Sequence, residues 1–145
     1  HYASDSSDLF DWQIVADRSS TVVGDIEITF SRTDHPVETL AMCFRHDGRS
    51  ILYTSDTGRD WSLAALGEAP DVVVGEGTLV DATDSPLVPH VSCRWLATEA
   101  NKIGAGRLVV THVPPGSDRA QHQAEAAEVF NGPVDLARTG AWFGT

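Results

Sequence analysis

Residues that can bind a metal ion or transfer a proton stand where buried strands are predicted to end. Asp56 follows the apolar run ILYTS, Glu76 follows DVVVG, and His112 follows RLVVT. A fourth such residue, His90, lies in the loop SPLVPH directly before a predicted helix. Because strand ends deliver side chains to a shared edge of a sheet, we expect these four residues to gather there. Carboxylates and imidazoles at one edge would support metal binding and acid–base chemistry.

Each of the four residues also has a purely structural interpretation. Asp56 stands before a Thr-Gly pair, which is typical of an Asx turn, and for this residue alone the turn is favoured over metal binding. Glu76 fits a solvated strand end, and His90 fits the flank of a helix. A lone histidine such as His112 more often bonds to a backbone carbonyl than to a metal. The occurrence of four such residues at four strand or loop ends is what favours a functional site.

Hydrophobic periodicity predicts the elements that position these residues. In TVVGDIEITF two strands flank a tight connection, and VETLAMCFRHDGRSILYTSD predicts a hairpin that turns at Asp47-Gly48. A short helix is predicted over 61–66, followed by strands at DVVVGE, RLVVTH and VDLA. Ser92 and Asp118 are predicted N-caps of helices that run to about Gly104 and to Phe130. This order predicts an α/β (α+β) fold, in which a mixed sheet carries helices on one face.

The remaining histidines and two tryptophans are assigned structural roles. His46 lies in the hairpin turn, His122 is predicted on an exposed helix face, and His1 is terminal. Trp61 and Trp95 occur in helical patterns, which indicates that they belong to the core.

Length and composition fit one globular domain. The chain has 145 residues, of which 41% are hydrophobic and 21% charged. Residues 1–20 are polar and predicted to be irregular, with an apolar anchor at Leu9, Phe10 and Trp12. Because the sequence opens with His1 rather than Met, we expect residues 1–145 to be a single partial domain of a longer protein.

Charge and cysteine content restrict partners and location. Twenty-one acidic and 10 basic residues give a net charge of −11, which repels polyanions. Cys43 and Cys93 lie in apolar contexts and are interpreted as buried thiols of a reducing compartment. No apolar run approaches the about 20 residues of a membrane span. We therefore expect a cytoplasmic protein without a membrane partner.

The ordered segments YTSDTG, DVVVGEGTL and PHVSCRWLATEANKIGAGRLVVTHVPP resemble the carboxy-terminal half of metallo-β-lactamase-fold hydrolases. The similarity is greatest to the branch that contains ribonuclease Z and related phosphodiesterases, and it extends from about Thr21 to Ala137. It implies half of a four-layer α/β/β/α sandwich, with a site for two divalent metal ions at the sheet edge between the two halves. Zinc is the expected metal, with manganese or iron as alternatives.

The resemblance also implies a role for each candidate residue. Asp56 matches the aspartate of the family's G-D-T segment, which bridges both metals, although Ser55 replaces the glycine. His112 matches the late T-H metal ligand. Glu76 matches the glutamate of H-E-A-T with glycines at 75 and 77, and His90 matches the histidine of H-S-T, so the two would form a proton relay. His35, in the sequence HPV, matches a loop near the site and is a candidate substrate contact, although an ordinary turn before Pro explains it as well.

These assignments lead to a functional hypothesis with one open alternative. The intact protein would be a metal-dependent hydrolase that attacks a phosphodiester with metal-activated water, and its substrate would be a small molecule such as a cyclic nucleotide rather than RNA. The family's H-x-H-x-D-H cluster is absent from this sequence. We therefore expect the chain alone to bind metal weakly, to be inactive, and to associate as a homodimer or larger species. The alternative is a non-catalytic α/β module whose strand-end residues are structural.

Overall fold

Seven strands of the described residues form one mixed sheet, in which spatial order follows chain order. The computed structural model describes residues 10–143, so the candidate anchor Leu9 and the terminal His1 lie outside the described residues. No helix or strand occurs between residues 10 and 19. The strands are β1 Ser20–Val23, β2 Ile26–Arg32, β3 Leu40–His46, β4 Arg49–Tyr53, β5 Val72–Glu76, β6 Leu108–Thr111 and β7 Val134–Leu136.

The sheet changes direction at its centre. Strands β1 to β4 pair antiparallel, with two-residue turns after β1 and β3 and a loop over 33–39 after β2, and β4 to β7 pair parallel. The hairpin turns where the sequence predicts it, because Asp47 and Gly48 both adopt positive φ, of 48° and 74°. The parallel half needs crossover connections, and these carry the helices.

Two α-helices cover the parallel strands, α1 at Cys93–Lys102 and α2 at Arg119–Ala127. Both predicted caps are confirmed: Ser92 Oγ accepts from the Trp95 amide, and the Asp118 carboxylate accepts from the Ala120 amide. Helix α2 ends three residues before the expected Phe130. The short helix expected over 61–66 is a 3-10 helix at Leu63–Leu66, and a second 3-10 helix spans Asp81–Thr83.

The core lies between one face of the sheet and the helices, which confirms the mixed sheet with helices on one face. Strand residues on that face include Cys43, Leu52, Val73 and Leu108, which are aligned across four strands. They pack against the helical residues Leu63, Leu66, Leu96, Ala97 and Ala100. Trp61 and Trp95 join this core as predicted.

The opposite face of the sheet is apolar and only partly covered. Phe44, Ile51 and Val72 are aligned across β3, β4 and β5 on this face, and Ile26 lies on the same face of β2. Ile26 and Ile51 are 40% and 41% exposed, whereas Val72 is buried. A second apolar layer packed here would cover this face.

His122 differs from its prediction. It is buried, with 3% of its surface exposed, and not on an exposed helix face. Its Nδ1 lies 2.9 Å from the Asp118 carbonyl oxygen and its Nε2 lies 3.3 Å from that of Thr78. His122 therefore ties α2 to the segment after β5.

Cys43 and Cys93 are buried free thiols, as the sequence predicts. Among residues 10–143, no helix combines the length and apolarity that crossing a bilayer requires.

Candidate metal and acid–base site

The carboxyl ends of β4, β5 and β6 meet at one edge of the sheet because these strands are parallel neighbours. Glu76 is the last residue of β5, and His112 directly follows β6. Asp56 lies three residues beyond the end of β4. The loop after the second 3-10 helix brings His90 to the same edge, where its ring centroid lies 5.2 Å from that of His112. The four residues expected to gather are therefore neighbours.

Glu76 is a buried carboxylate surrounded by hydrogen-bond donors. Only 1% of its surface is exposed. Its Oε1 accepts from the Thr57 amide at 2.5 Å, and its Oε2 accepts from the Thr78 hydroxyl at 2.6 Å. His90 Nδ1 lies 3.0 Å from Oε2 and 3.2 Å from Oε1. These contacts satisfy the carboxylate without a metal, so Glu76 is not the solvated strand end that was the alternative interpretation.

His90 is oriented by this carboxylate. Because a carboxylate only accepts hydrogen bonds, the 3.0 Å contact requires that His90 Nδ1 carries a hydrogen. The neutral ring then has its lone pair on Nε2, and the ring can gain a proton there. With a 21% exposed side chain, His90 remains accessible from the edge of the site. The pair has the arrangement of an oriented general acid or base.

Asp56 does not form the Asx turn that its sequence context favours. The next two backbone amides donate elsewhere: Thr57 N–H to Glu76, and Gly58 N–H to the carbonyl of Asp34. Among residues 10–143, the nearest cationic or imidazole nitrogen to the Asp56 carboxylate is His112 Nδ1, 3.6 Å from Oδ1. The carboxylate is 38% exposed and retains free acceptor positions.

Two residues of the site adopt left-handed backbone conformations. Ser55 has φ of 53° and His112 has φ of 56°. The glycine found here in the G-D-T segment would adopt this conformation without strain, whereas Ser55 offsets part of the strain by donating from Oγ to the Leu40 carbonyl at 2.8 Å. Such strained conformations concentrate at functional sites because the surrounding structure must hold them.

Glycines at 75 and 77 let α1 pack closely on β5. A Cβ at position 77 would lie 2.6 Å from Val110 Cγ1 and 2.7 Å from Cys93 Sγ, and one at position 75 would overlap the Leu96 side chain. The departures from H-E-A-T at these positions therefore follow from packing. Burial, with the charge of Glu125, raises the pKa of the Cys93 thiol from 9.0 to about 12, so the thiol stays neutral.

The donor atoms at this edge fit a divalent metal ion. His35, Asp56 and His90 offer ligand atoms within 4.8 Å of one another, as do Glu76, His90 and His112. Imidazole nitrogen with carboxylate oxygen is a donor set suited to zinc and related ions. Because Glu76 is already satisfied by protein donors, Asp56 and the histidines are the groups available to a metal.

A cavity of about 410 Å³ adjoins this edge. His35 lies in its wall and also beside His90, with 5.6 Å between the ring centroids. Asp34, Arg59 and Asp60 line the same cavity, and Arg59 forms an ion pair with Asp84. The position of His35 is compatible with its expected contact to a substrate.

Sequence reasoning missed Thr78, which contacts both Glu76 and His112. The spacing from Glu76 could have indicated this residue. In an extended chain residues i and i+2 point to the same side, so the side chains of Thr78 and Glu76 lie on one side of the chain. It also matches the final T of H-E-A-T. The cavity residues Asp34 and Arg59 were missed as well, and nothing in their local sequence marks them.

Comparison with known proteins identifies related sequences and folds, although no family model matches the chain. The chain is 30% identical over 122 residues to the probable metallo-hydrolase YhfI of Bacillus subtilis, covering 83% of this chain and 50% of YhfI. It is 31% identical over 97 residues to a ribonuclease Z of Myxococcus xanthus, covering 64% of this chain and 32% of that protein. The chain therefore spans about half the length of YhfI and about a third of that ribonuclease Z.

A solved structure supports the same relationship. The crystal structure of the metallo-β-lactamase-fold protein YhfI from Bacillus subtilis superposes with a TM-score of 0.83 at 28% identity. The match covers 90% of this chain and 54% of that structure. The sheet, its two helices and the edge described above thus correspond to a part of that fold.

Proposed function

From the metallo-β-lactamase-type α/β fold of this chain, which its homologues and structural neighbours share, we infer that the intact protein is a metal-dependent hydrolase that cleaves phosphodiesters. The observation that carries the proposal is the contact of the buried Glu76 with the partly exposed His90, beside the accessible donors of Asp56 and His112. An oriented imidazole next to metal ligands is what hydrolysis of an ester with a poor leaving group requires.

In this proposal Asp56 and His112 would hold the divalent metal ions. Zinc suits this mixture of imidazole and carboxylate donors. When bound, such ions supply an activated water molecule and polarise the phosphoryl oxygens. The remaining ligands would come from a part of the protein beyond these residues, because two protein ligands do not complete a zinc site.

His90 is assigned the proton transfer to the leaving oxygen. Its Nδ1–H is held by Glu76 at 3.0 Å, so a proton taken up by the ring resides on Nε2 and can be donated from there. The Glu76 carboxylate, in direct contact with the ring, would stabilise the imidazolium while His90 is charged.

The substrate is proposed to be small. The cavity beside the site is lined by Asp34 and Asp60, and its lining residue Arg59 is already paired with Asp84. A net charge of −11 adds a general repulsion of polyanions. A cyclic nucleotide or similar phosphodiester, with one phosphate group for the metals, fits better than RNA. His35 in the cavity wall would contact this substrate.

We place the protein in the cytoplasm. The support is chemical: Cys43 and Cys93 are free thiols, and free thiols persist in reducing compartments.

The test is metal analysis and assay of the intact protein. Substrates would be bis-p-nitrophenyl phosphate, 2′,3′- and 3′,5′-cyclic nucleotides, a pre-tRNA, a thioester and a β-lactam. We expect bound divalent metal and hydrolysis of the small phosphodiesters. Hydrolysis of only the β-lactam, or of only the thioester, would overturn the proposal.

A further inference from the structure

We propose that Thr78 is a positioning residue that transmits the hydrogen-bond polarity of Glu76 to His112 and thereby fixes the tautomer of His112. The hydrogen-bond pattern rests on geometry alone, and only its benefit to catalysis rests on the proposed function.

Thr78 lies between the buried carboxylate and the imidazole. Its Oγ1 is 2.6 Å from Glu76 Oε2 and 2.9 Å from His112 Nδ1. The direct separation of His112 Nδ1 from Glu76 Oε2 is 3.8 Å, which is too long for a hydrogen bond. Thr78 is therefore the link between the two groups.

The single hydroxyl proton of Thr78 determines the polarity of the link. Three acceptors compete for it: Glu76 Oε2 at 2.6 Å, the His112 carbonyl oxygen at 3.3 Å and a lone pair on His112 Nδ1. The charged and nearest acceptor wins, because hydrogen bonds to a carboxylate are shorter and stronger than neutral ones. Thr78 Oγ1 then presents only lone pairs to His112, so Nδ1 must carry the hydrogen.

The consequence is that Nε2 of neutral His112 keeps its lone pair for a metal ion. The direct contact with Glu76 likewise places the hydrogen of neutral His90 on Nδ1. One carboxylate thus sets the protonated nitrogen of two histidines, directly for His90 and through a hydroxyl for His112. A hydrogen bond to the second nitrogen of a metal-binding histidine typically matters 10–100-fold, as a rough range, for metal affinity.

The backbone holds Thr78 in place independently of its hydroxyl. The Thr78 carbonyl oxygen lies 3.3 Å from Nε2 of His122, a residue on the buried face of α2. The adjacent Gly77 amide donates to the Thr111 carbonyl at 3.0 Å, and Cys93 Sγ donates to the Gly77 carbonyl. Replacing the hydroxyl should therefore change the hydrogen-bond link while leaving the strand end in position.

The first experiment measures the tautomer of His112 by long-range ¹H–¹⁵N NMR of histidine-labelled, metal-free protein. The measurement is made in a mildly alkaline buffer, at about pH 8.5, so that the two neutral tautomers are compared. We expect Nδ1–H in the wild type and in Thr78→Ser, which keeps the hydroxyl. In the nearly isosteric Thr78→Val we expect a shift of the population toward Nε2–H. An unchanged tautomer in Thr78→Val would overturn the proposal, as would Nε2–H in the wild type.

The second experiment reverses the polarity at its origin. In Glu76→Gln the amide oxygen continues to accept from the Thr57 amide, so the NH₂ group faces Thr78 and donates to it. The Thr78 hydroxyl then donates to His112 Nδ1, and His112 should convert to Nε2–H although it makes no direct hydrogen bond to residue 76. In the Thr78→Val background, adding Glu76→Gln should cause no further change in the tautomer of His112. If Glu76→Gln changed the tautomer of His112 equally in the wild type and in Thr78→Val, a link through Thr78 would be contradicted.

Neither experiment requires turnover or bound metal, so its failure differs from failure of the proposed function. Should Thr78→Val not fold, as judged by far-UV circular dichroism, the comparison of wild type, Thr78→Ser and Glu76→Gln still decides the question. A wild-type Nδ1–H tautomer that persists in Glu76→Gln would then overturn the proposal.

Discussion

At the scale of single residues, the site depends on a carboxylate that is unusable as a ligand because the protein already satisfies it. Glu76 is buried and accepts hydrogen bonds from a backbone amide, a hydroxyl and an imidazole. Asp56, three residues beyond β4, makes no such set of contacts and is partly exposed. We therefore propose different roles for the two carboxylates at this edge, Glu76 orienting side chains and Asp56 binding a cation.

Replacing His90 by Ala should lower the kcat of the intact protein toward small phosphodiesters by about 10²- to 10⁴-fold, with a smaller change in KM. The reason is the loss of the proton donor at the leaving oxygen. Steady-state kinetics with a cyclic nucleotide would measure it. His46→Ala is the matched control, because this exposed histidine is the last residue of β3, far from the site, and its Nδ1 lies 3.1 Å from the Asp25 carbonyl oxygen. A kcat lowered equally in both variants would contradict the role of His90.

The chain alone should bind zinc weakly, with a Kd above about 1 µM, because its ligand set is incomplete for a closed zinc site. Isothermal titration calorimetry of the 145-residue chain would measure the Kd. Submicromolar binding that Asp56→Ala and His112→Ala both abolish would show that these residues suffice for a tight site, against the expectation.

The positions of the candidate residues were predictable from the sequence, whereas their hydrogen bonds were not. Each residue follows an apolar run, and parallel strand ends meet at one edge. Burial of Glu76 depends on loops that come from distant parts of the chain, such as the segments that carry Thr57 and His90. Local patterns contain no information about such contacts, so the Asx turn was favoured for Asp56 taken alone.

At the scale of elements, hydrophobic periodicity predicted the strands correctly, whereas residue type alone gave the wrong environment for His122. The sequence predicts every strand of the sheet, and it predicts the caps of both α-helices. His122 was misplaced because a histidine was taken for a surface residue. Its spacing from Ala126 and Phe130, four and eight residues on, corresponds to one face of a helix, and all three are buried. The polar ring is accepted in the core because both nitrogens lie near carbonyl oxygens.

Gly75→Ala should destabilise the protein by about 1–3 kcal/mol, since the new methyl group overlaps Leu96 of α1. Urea unfolding followed by circular dichroism would measure the change in the free energy of unfolding. In a double-mutant cycle with Leu96→Ala, the double variant should be more stable than the sum of the single effects predicts. If the two changes in the free energy of unfolding were strictly additive, the methyl group at position 75 would not contact Leu96.

At the scale of the whole molecule, one side of the sheet has its helices and the other lacks an equivalent layer. The uncovered side presents Ile26 and Ile51 at about 40% exposure, next to Phe44. Contiguous apolar surfaces of this kind usually mark association. We propose that this face mediates self-association of the chain when nothing else covers it.

Size-exclusion chromatography with light scattering should therefore show a dimer or larger species for the isolated chain. Ile51→Lys, in the middle of the uncovered face, should shift the distribution toward monomer. Val22→Lys is the control, because Val22 is 66% exposed but pairs with Glu27, on the other side of β1 and β2. A stable wild-type monomer would contradict association through this face.

The switch of the sheet from antiparallel to parallel pairing at β4 also has a consequence for the order of folding. Strands β1 to β4 pair with sequence neighbours through connections of two to seven residues, and such local contacts form early because little loop entropy is lost. The pairings of β5 with β4 and β6 close much longer loops, and only they bring Asp56, Glu76 and His112 together. During synthesis, the antiparallel half can therefore form while the ribosome is still adding α1. The residues proposed for chemistry meet only after β6 has emerged.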